Sequence, residues 1–185
     1  MKLYFATGNS GKVEHARNIL PDFFKVEQIN VETIEPSIDS IEDIAKSELQ
    51  QVLEKKELEN SCIIADDSGL FIESLNGFPG PQTSFLDEKV GKESILKLLE
   101  DKSKEAKFRA AIALYEPKLD EIKIFTGSAS GKIVEPRGSK GFGYDPLFLP
   151  KNHDKTWGED SDYKDRNSHR QKALEKLQDY LKNNN

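Results

Sequence analysis

Four short segments hold side chains suited to gripping a phosphorylated, aromatic ligand. The first is Thr7-Gly8-Asn9-Ser10-Gly11-Lys12, between an apolar run and an amphipathic one. Backbone N–H groups at a helix start, flexible glycines and a lysine make a cradle for phosphate. It is not a Walker A loop, because Ala6 stands at the position of the first glycine and Val13 replaces the required Ser or Thr. The plainer alternative is a helix-entry turn with a surface lysine.

The second segment is Asp66-Asp67-Ser68-Gly69, directly after Cys62-Ile63-Ile64-Ala65. Continuous apolar runs of this kind suit a strand buried on both faces, and the strand is expected to end at the aspartates. Ligands of open α/β sheets collect at strand ends. A carboxylate there can hold a hard cation or accept a proton from water. Successive residues on a strand face opposite ways, so one of the two aspartates is expected to point into any given cleft. The alternative is a tight turn made by Asp67, Ser68 and Gly69.

The third segment, Gly141-Phe142-Gly143-Tyr144-Asp145-Pro146, is not a dinucleotide fingerprint, since Pro146 takes the place of the last glycine. Glycines flanking Phe142 let a flat ligand approach the backbone, and Phe142 or Tyr144 could stack on a base. A glycine-kinked turn with core-filling aromatics reads equally from these residues. The fourth is the basic cluster Lys164, Arg166, His169, Arg170 and Lys172. His169 and Arg170 fall in the first turn of the closing helix, where the helix dipole disfavours cations. Cations held there point to an anion or an electron-rich base edge, against the ordinary alternative of a solvated charged face. His15 and His153 have no metal-site spacing, and Trp157 by itself is uninformative.

Alternating strands and helices must position these segments. Lys2 to Ala6 reads as a strand, Lys12 to Leu20 as a helix stopped by Pro21, and Val26 to Val31 as a second strand. Ser40 caps a helix with Asp43 three residues on and a stripe of Ile41, Ile44, Ala45, Leu49, Val52 and Leu53. Lys92 to Glu100 reads as helix, and Phe108 to Tyr115 with Ile122 to Ser128 as a hairpin through Pro117. Tyr144 to Leu149 reads as a further strand. Ser168 with Gln171 opens a final helix carrying Ala173, Leu174, Leu177, Tyr180 and Leu181 on one side. Interleaved helices and strands with a late hairpin predict a mixed α/β sheet.

The composition narrows the function classes. With 33 acidic against 27 basic residues the chain has a formal charge of −6, which argues against a nucleic-acid partner while allowing a local anion pocket. The single cysteine, Cys62, excludes an internal disulfide framework. No apolar run approaches the roughly 18 residues of a membrane span, and the N-terminus lacks a signal-peptide pattern. A soluble cytoplasmic protein with no membrane partner is the expectation.

In combination the segments resemble the inosine triphosphate pyrophosphatase family, also called the Ham1-like or non-canonical purine nucleotide pyrophosphatases. The matching motifs are Thr7-Gly8-Asn9-x-x-Lys12, Asp66-Asp67-Ser68-Gly69-Leu70, Gly77-Phe78-Pro79-Gly80, Gly141 to Pro146 and Ser168-His169-Arg170, in the family's order from residue 3 to about 181. The resemblance implies a single domain over residues 1–185, an elongated two-lobed α/β fold around a mixed sheet with the active cleft between lobes, and usually a homodimer. It implies Mg²⁺-dependent hydrolysis of ITP, dITP and XTP to the monophosphate and pyrophosphate. By the same resemblance, Thr7, Gly8, Asn9, Ser10, Gly11 and Lys12 form the triphosphate loop. Asp67 is the general base and metal ligand, with Glu35 as a second metal carboxylate and Lys12 assisting catalysis. Ser68, Phe142, Gly143, Tyr144, Asp145, Lys164, His169 and Arg170 contact the substrate. Two departures stand out: Gln82 replaces a common Tyr, and Gly158 a common Ala. A sensor that keeps the site without hydrolysis, and a Maf-type enzyme of modified pyrimidines, are the competing readings. The His169-Arg170 pair favours purines.

Overall fold

The computed structural model describes residues 2–21, 23–34, 36, 38–55, 58, 61–119 and 121–184. Strand β1 (Lys2–Ala6) leads through the Thr7–Asn9 turn into helix α1 (Ser10–Ile19) and then β2 (Lys25–Ile29). Helix α1 begins earlier than its apolar stripe does because Asn9 caps it, with the side-chain oxygen accepting from the N–H groups of Gly11 and Lys12. Ser40 caps α2 (Ile41–Lys55) as the spacing predicts, its hydroxyl accepting from the Asp43 N–H at 3.1 Å. The apolar stripe of α2 is buried at Ile41, Ile44, Ala45, Leu49 and Val52.

The third strand corrects the sequence reading. It does not stop at the aspartates: β3 runs Cys62–Ile72, carrying Asp66, Asp67, Ser68 and Gly69 through its middle. Leu70 and Ile72 beyond them are fully buried, so the apolar anchoring resumes on the far side. Gly69 allows the close pairing with β4 (Pro79–Gly80), antiparallel at Leu70↔Gly80 and Phe71↔Pro79. The Phe78–Pro79 peptide is cis.

Helices α3 (Thr83–Val90), α4 (Ser94–Leu98) and α5 (Ser161–Asn167) are short. Strands β5 (Glu105–Glu116) and β6 (Glu121–Ile133) extend beyond the expected hairpin. Tyr144 to Leu149 is not one strand but a 3₁₀ turn, Asp145–Leu147, followed by β7 (Phe148–Pro150). Helix α6 (His169–Asn183) closes the chain, and the Ser168 hydroxyl accepts from the Gln171 N–H at 3.2 Å.

The strands form one mixed sheet in the order β2-β1-β3-β5-β6-β7, with β4 on β3 off that path. β1 is parallel to both β2 and β3, whereas β4 and β7 pair antiparallel with β3 and β6. The chain divides into two compact units. The first comprises Met1–Asp67, Ala110–Gly127 and Lys172–Asn185, and the second Ser68–Arg109 and Ser128–Gln171. The first is centred on Leu3, Phe5, Val13, Ile64, Ile112 and Leu177, the second on Leu70, Ile72, Phe108, Ile133, Phe148 and Trp157. Among the described residues no helix is long and apolar enough to cross a membrane.

A Cβ at Gly69 would overlap the carbonyl oxygen of Gly80. Gly69→Ala must therefore push β4 off β3, at a cost of about 1–3 kcal/mol. In urea titrations the unfolding midpoint is expected to fall with the slope unchanged.

Candidate active site

In the first unit, the loop before α1 is held by its own polar groups. The Thr7 N–H donates to Ile29 O, the Asn9 N–H to Thr7 Oγ1, and Gln28 Nε2 to Thr7 O. Asn9 Oδ1 accepts from Gly11 N at 2.9 Å and from Lys12 N at 3.4 Å. Two of the N–H groups that a phosphate cradle would use are thus engaged by the cap, and an anion has to share or displace Asn9. Lys12 Nζ lies 2.7 Å from Asp66 Oδ1 and donates to the Asp66 carbonyl at 3.2 Å. The Asp66 side chain is wholly buried, and a buried carboxylate is strongly unfavourable unless a cation stands against it. Lys12 supplies that cation. An ammonium has three donor hydrogens, so it can hold Asp66 at two points and still reach a phosphate oxygen. Asp67, next along β3, is half-buried and on strand geometry faces away from Asp66. The two aspartates thus face opposite sides of the strand, and Asp66 is the one that anchors Lys12.

In the second unit, a cavity of about 270 Å³ gathers Ser68, Phe142, Gly143, Tyr144, Asp145, Lys164, His169 and Arg170. Its volume lies just below the roughly 300–1,000 Å³ of drug-sized sites, the scale of a base rather than a whole nucleotide. Every residue expected to contact substrate outside the Thr7–Lys12 loop lines it.

Local chemistry explains the arrangement. Asp145 Oδ2 accepts from the Phe142 N–H at 2.9 Å and from Lys164 Nζ at 2.5 Å, folding the glycine-flanked turn over the lysine. The φ of Gly141 is +74°, and a Cβ there would strike the Asp145 carboxylate, so glycine is required. Lys164 Nζ sits 4.2 Å from the Phe142 ring centroid, while the ring stays 66% exposed as a ready stacking surface. Burial pushes the Asp145 carboxyl up, against the pull of Lys164, the Phe142 N–H and Arg170.

His169 is fixed by aromatic stacking. Its ring lies 5.0 Å from Phe108 and 5.7 Å from Trp157, and those two rings stack at 5.0 Å. Arg170 donates to Ser68 Oγ at 3.0 Å. Both side chains are buried in the first turn of α6, against the dipole preference. Tyr144 is buried as well, and its hydroxyl has no hydrogen-bond partner among the described residues. Burial, together with Asp87 and Glu93, pushes that hydroxyl up to about 12.

Sequence reasoning missed several supporting residues. Thr83 ties α3 to the β3–β4 corner, its hydroxyl donating to Gly80 O at 2.5 Å and accepting from Leu70 N at 2.8 Å. Trp157 and Phe108 form the stack behind His169. Asp87 lines the cavity from α3. Only the capping-type spacing of Thr83 after Gly80 offered a local signal. Glu35, expected as a metal carboxylate, lies outside the described residues.

The mixed sheet and its helices define an α/β protein. A sequence model of the Ham1 family matches residues 3–180. The chain is 42% identical to the dITP/XTP pyrophosphatase of Methanopyrus kandleri, over all of this chain and 98% of that one. It is 40% identical to the dITP/XTP pyrophosphatase of Thermococcus kodakarensis, over 100% and 99% respectively. Among solved structures, the Ham1 protein of Staphylococcus aureus superposes with a TM-score of 0.88 at 29% identity, covering both chains entirely. A HAM1 protein from Coxiella burnetii gives 0.87 at 32% identity, covering 99% of each chain. The chain belongs to the Ham1 family.

The raised Tyr144 hydroxyl carries a stability consequence. The unfolded chain loses this proton near pH 10 and the folded chain near 12, so the stabilisation is complete below pH 10 and is lost as pH rises towards 12. The slope is about 1.4 kcal/mol per pH unit across that window. Tyr144→Phe is expected to flatten this decline in urea titrations at pH 10, 11 and 12.

Proposed function

We propose that this protein hydrolyses dITP, ITP and XTP to the monophosphate and pyrophosphate, clearing deaminated purines from the nucleotide pool. The observation that carries this reading is the buried His169-Arg170 pair in a base-sized cavity beside an exposed aromatic ring. The dITP/XTP pyrophosphatase names of the full-length relatives support the same substrate class. Hypoxanthine and xanthine carry a keto oxygen at C6 and an acceptor at N7, which Arg170 and His169 serve as donors, as Arg serves guanine in DNA. Adenine presents an amino group there and leaves buried donors unpaired, at about 1–3 kcal/mol per group. Phe142 stacks on the base, and Lys164, held by Asp145, fixes that platform.

Thr7 to Lys12 bind the triphosphate. Asp67 takes the proton from the water that attacks the α-phosphorus, and pyrophosphate leaves. Lys12, anchored by Asp66, offsets charge on the phosphate oxygens. Among the described residues there is no cluster of three or more His, Cys, Asp or Glu side chains arranged to hold a metal. Mg²⁺ commonly binds one or two carboxylates together with substrate phosphates rather than an all-protein cage. Asp67, a half-buried hard-oxygen donor, would hold the ion, with Glu35 as the second carboxylate that the family resemblance implies. When bound, the ion supplies Lewis-acid stabilisation of phosphate charge.

Residues 1–185 act as one functional domain, in keeping with a family match over residues 3–180. A homodimer and a cytoplasmic setting follow the family expectation.

With Mg²⁺, the protein is expected to release pyrophosphate from dITP and XTP well ahead of dATP. Asp67→Asn is expected to abolish this turnover with the unfolding midpoint preserved. His169→Ala and Arg170→Ala each narrow the dITP-to-dATP ratio of kcat/KM by about tenfold. Near-normal dITP hydrolysis by Asp67→Asn, or unchanged ratios in both alanine variants, contradicts the assignment.

A further inference from the structure

The donors of the cavity account for O6 and N7 of a 6-oxopurine and leave its N1–H unread. An acceptor for that proton has to come from elsewhere in the lining, where α3 contributes two carboxylates, Asp87 and Glu88, of which Asp87 is the one that approaches Gly143. Thr83 is pinned to Gly80 and Leu70 through its hydroxyl, which fixes where the helix starts. One turn on, at i+4, Asp87 comes up on the same face and lines the cavity.

Its carboxylate comes close to Gly143. A Cβ on Gly143 would lie 3.6 Å from Asp87 Oδ2, so the carboxylate rests against the backbone between Phe142 and Tyr144. Gly143 has φ +56°, a conformation that disfavours other residues. The wall holds a second polar group that can serve a ligand. The Tyr144 hydroxyl is buried at 2% exposure without a hydrogen-bond partner among the described residues, although nearly all buried polar groups in folded proteins have one. Tyr144 and Asp87 both line the cavity.

We infer that Asp87 is a specificity-determining residue of this pocket, accepting a hydrogen bond from the N1–H that 6-oxopurines carry and adenine lacks. The inference rests on reading the cavity as the base site. A carboxylate is an acceptor only, so it attracts the N1–H of hypoxanthine and xanthine and repels the N1 lone pair of adenine. Discrimination is then read on two edges independently: donors at His169 and Arg170 for O6 and N7, and an acceptor at Asp87 for N1. Guanine carries N1–H as well, and the second carboxylate oxygen can take its 2-amino group, so Asp87 does not separate guanine from hypoxanthine.

The test measures kcat/KM of the full chain and of Asp87→Asn and Asp87→Ala with dITP, dGTP and dATP. In both variants the dITP-to-dATP ratio is expected to fall about tenfold or more. In Asp87→Ala dITP loses its N1–H acceptor and falls, while dATP, relieved of the repulsion, rises. In Asp87→Asn, whose amide can donate to adenine N1, dATP also rises. dGTP falls in step with dITP. Equilibrium binding of dIMP against dAMP is expected to show the same change of ratio without turnover. An unchanged ratio, an equal loss on all three substrates, or a selective gain for dGTP overturns the inference while leaving the wild-type preference for dITP intact. Failure of the wild type to act on dITP overturns the proposed function itself.

Discussion

A buried strand that carries Asp66, Asp67, Ser68 and Gly69 through its centre is tolerable only if its polar groups find partners far away in sequence. Asp66 finds Lys12, and Ser68 finds Arg170. Each contact links a site residue to the strand, so the groups that hold β3 in its path also aim the candidate chemistry. An ion pair with one member fully buried resists the loss of either partner, because the survivor is left as an uncompensated charge. Lys12 is therefore fixed in its loop by a structural necessity that does not depend on any ligand. The same logic governs the second unit, where Asp145 takes both the Phe142 N–H and the Lys164 ammonium.

Rigid backing is the second constraint. Histidine at a helix start is free to rotate unless something confines it, and here the Phe108–Trp157 stack confines His169. Thr83 plays the comparable part for α3. Cations in the first turn of α6 run against the helix dipole. Their retention in a buried cavity makes sense as recognition of an electron-rich edge, since it weakens the helix that carries them.

Much of the fold was legible because the signals were local. The apolar run Lys2 to Ala6, the Ser40 and Ser168 caps and the stripes of α2 and α6 all have periods that physics reads from neighbours in sequence. What was illegible depended on distant partners. No local pattern says that a strand continues through two aspartates, because the cation that permits it comes from α1. The polar helix α5 buries none of its residues and left no stripe to find. The segment Tyr144 to Leu149 looked like a strand because its aromatics and leucines are apolar, and it turns instead where Asp145 gathers its donors. Of the candidate site, the sequence named the residues that line the cavity, but not the contacts that support them. Asp66, Phe108, Trp157, Thr83 and Asp87 matter through contacts across the fold, and an isolated Trp or Asp carries no sign of such a contact. Residue 35 stays an expectation of family resemblance.

The central claim is that water, deprotonated at Asp67, attacks the α-phosphorus of a 6-oxopurine triphosphate. Hydrolysis of dITP in ¹⁸O-labelled water, followed by mass spectrometry of both products, tests it most directly. The account predicts one label in the dIMP phosphate and none in the pyrophosphate. Label in pyrophosphate, or release of orthophosphate in its place, would contradict it.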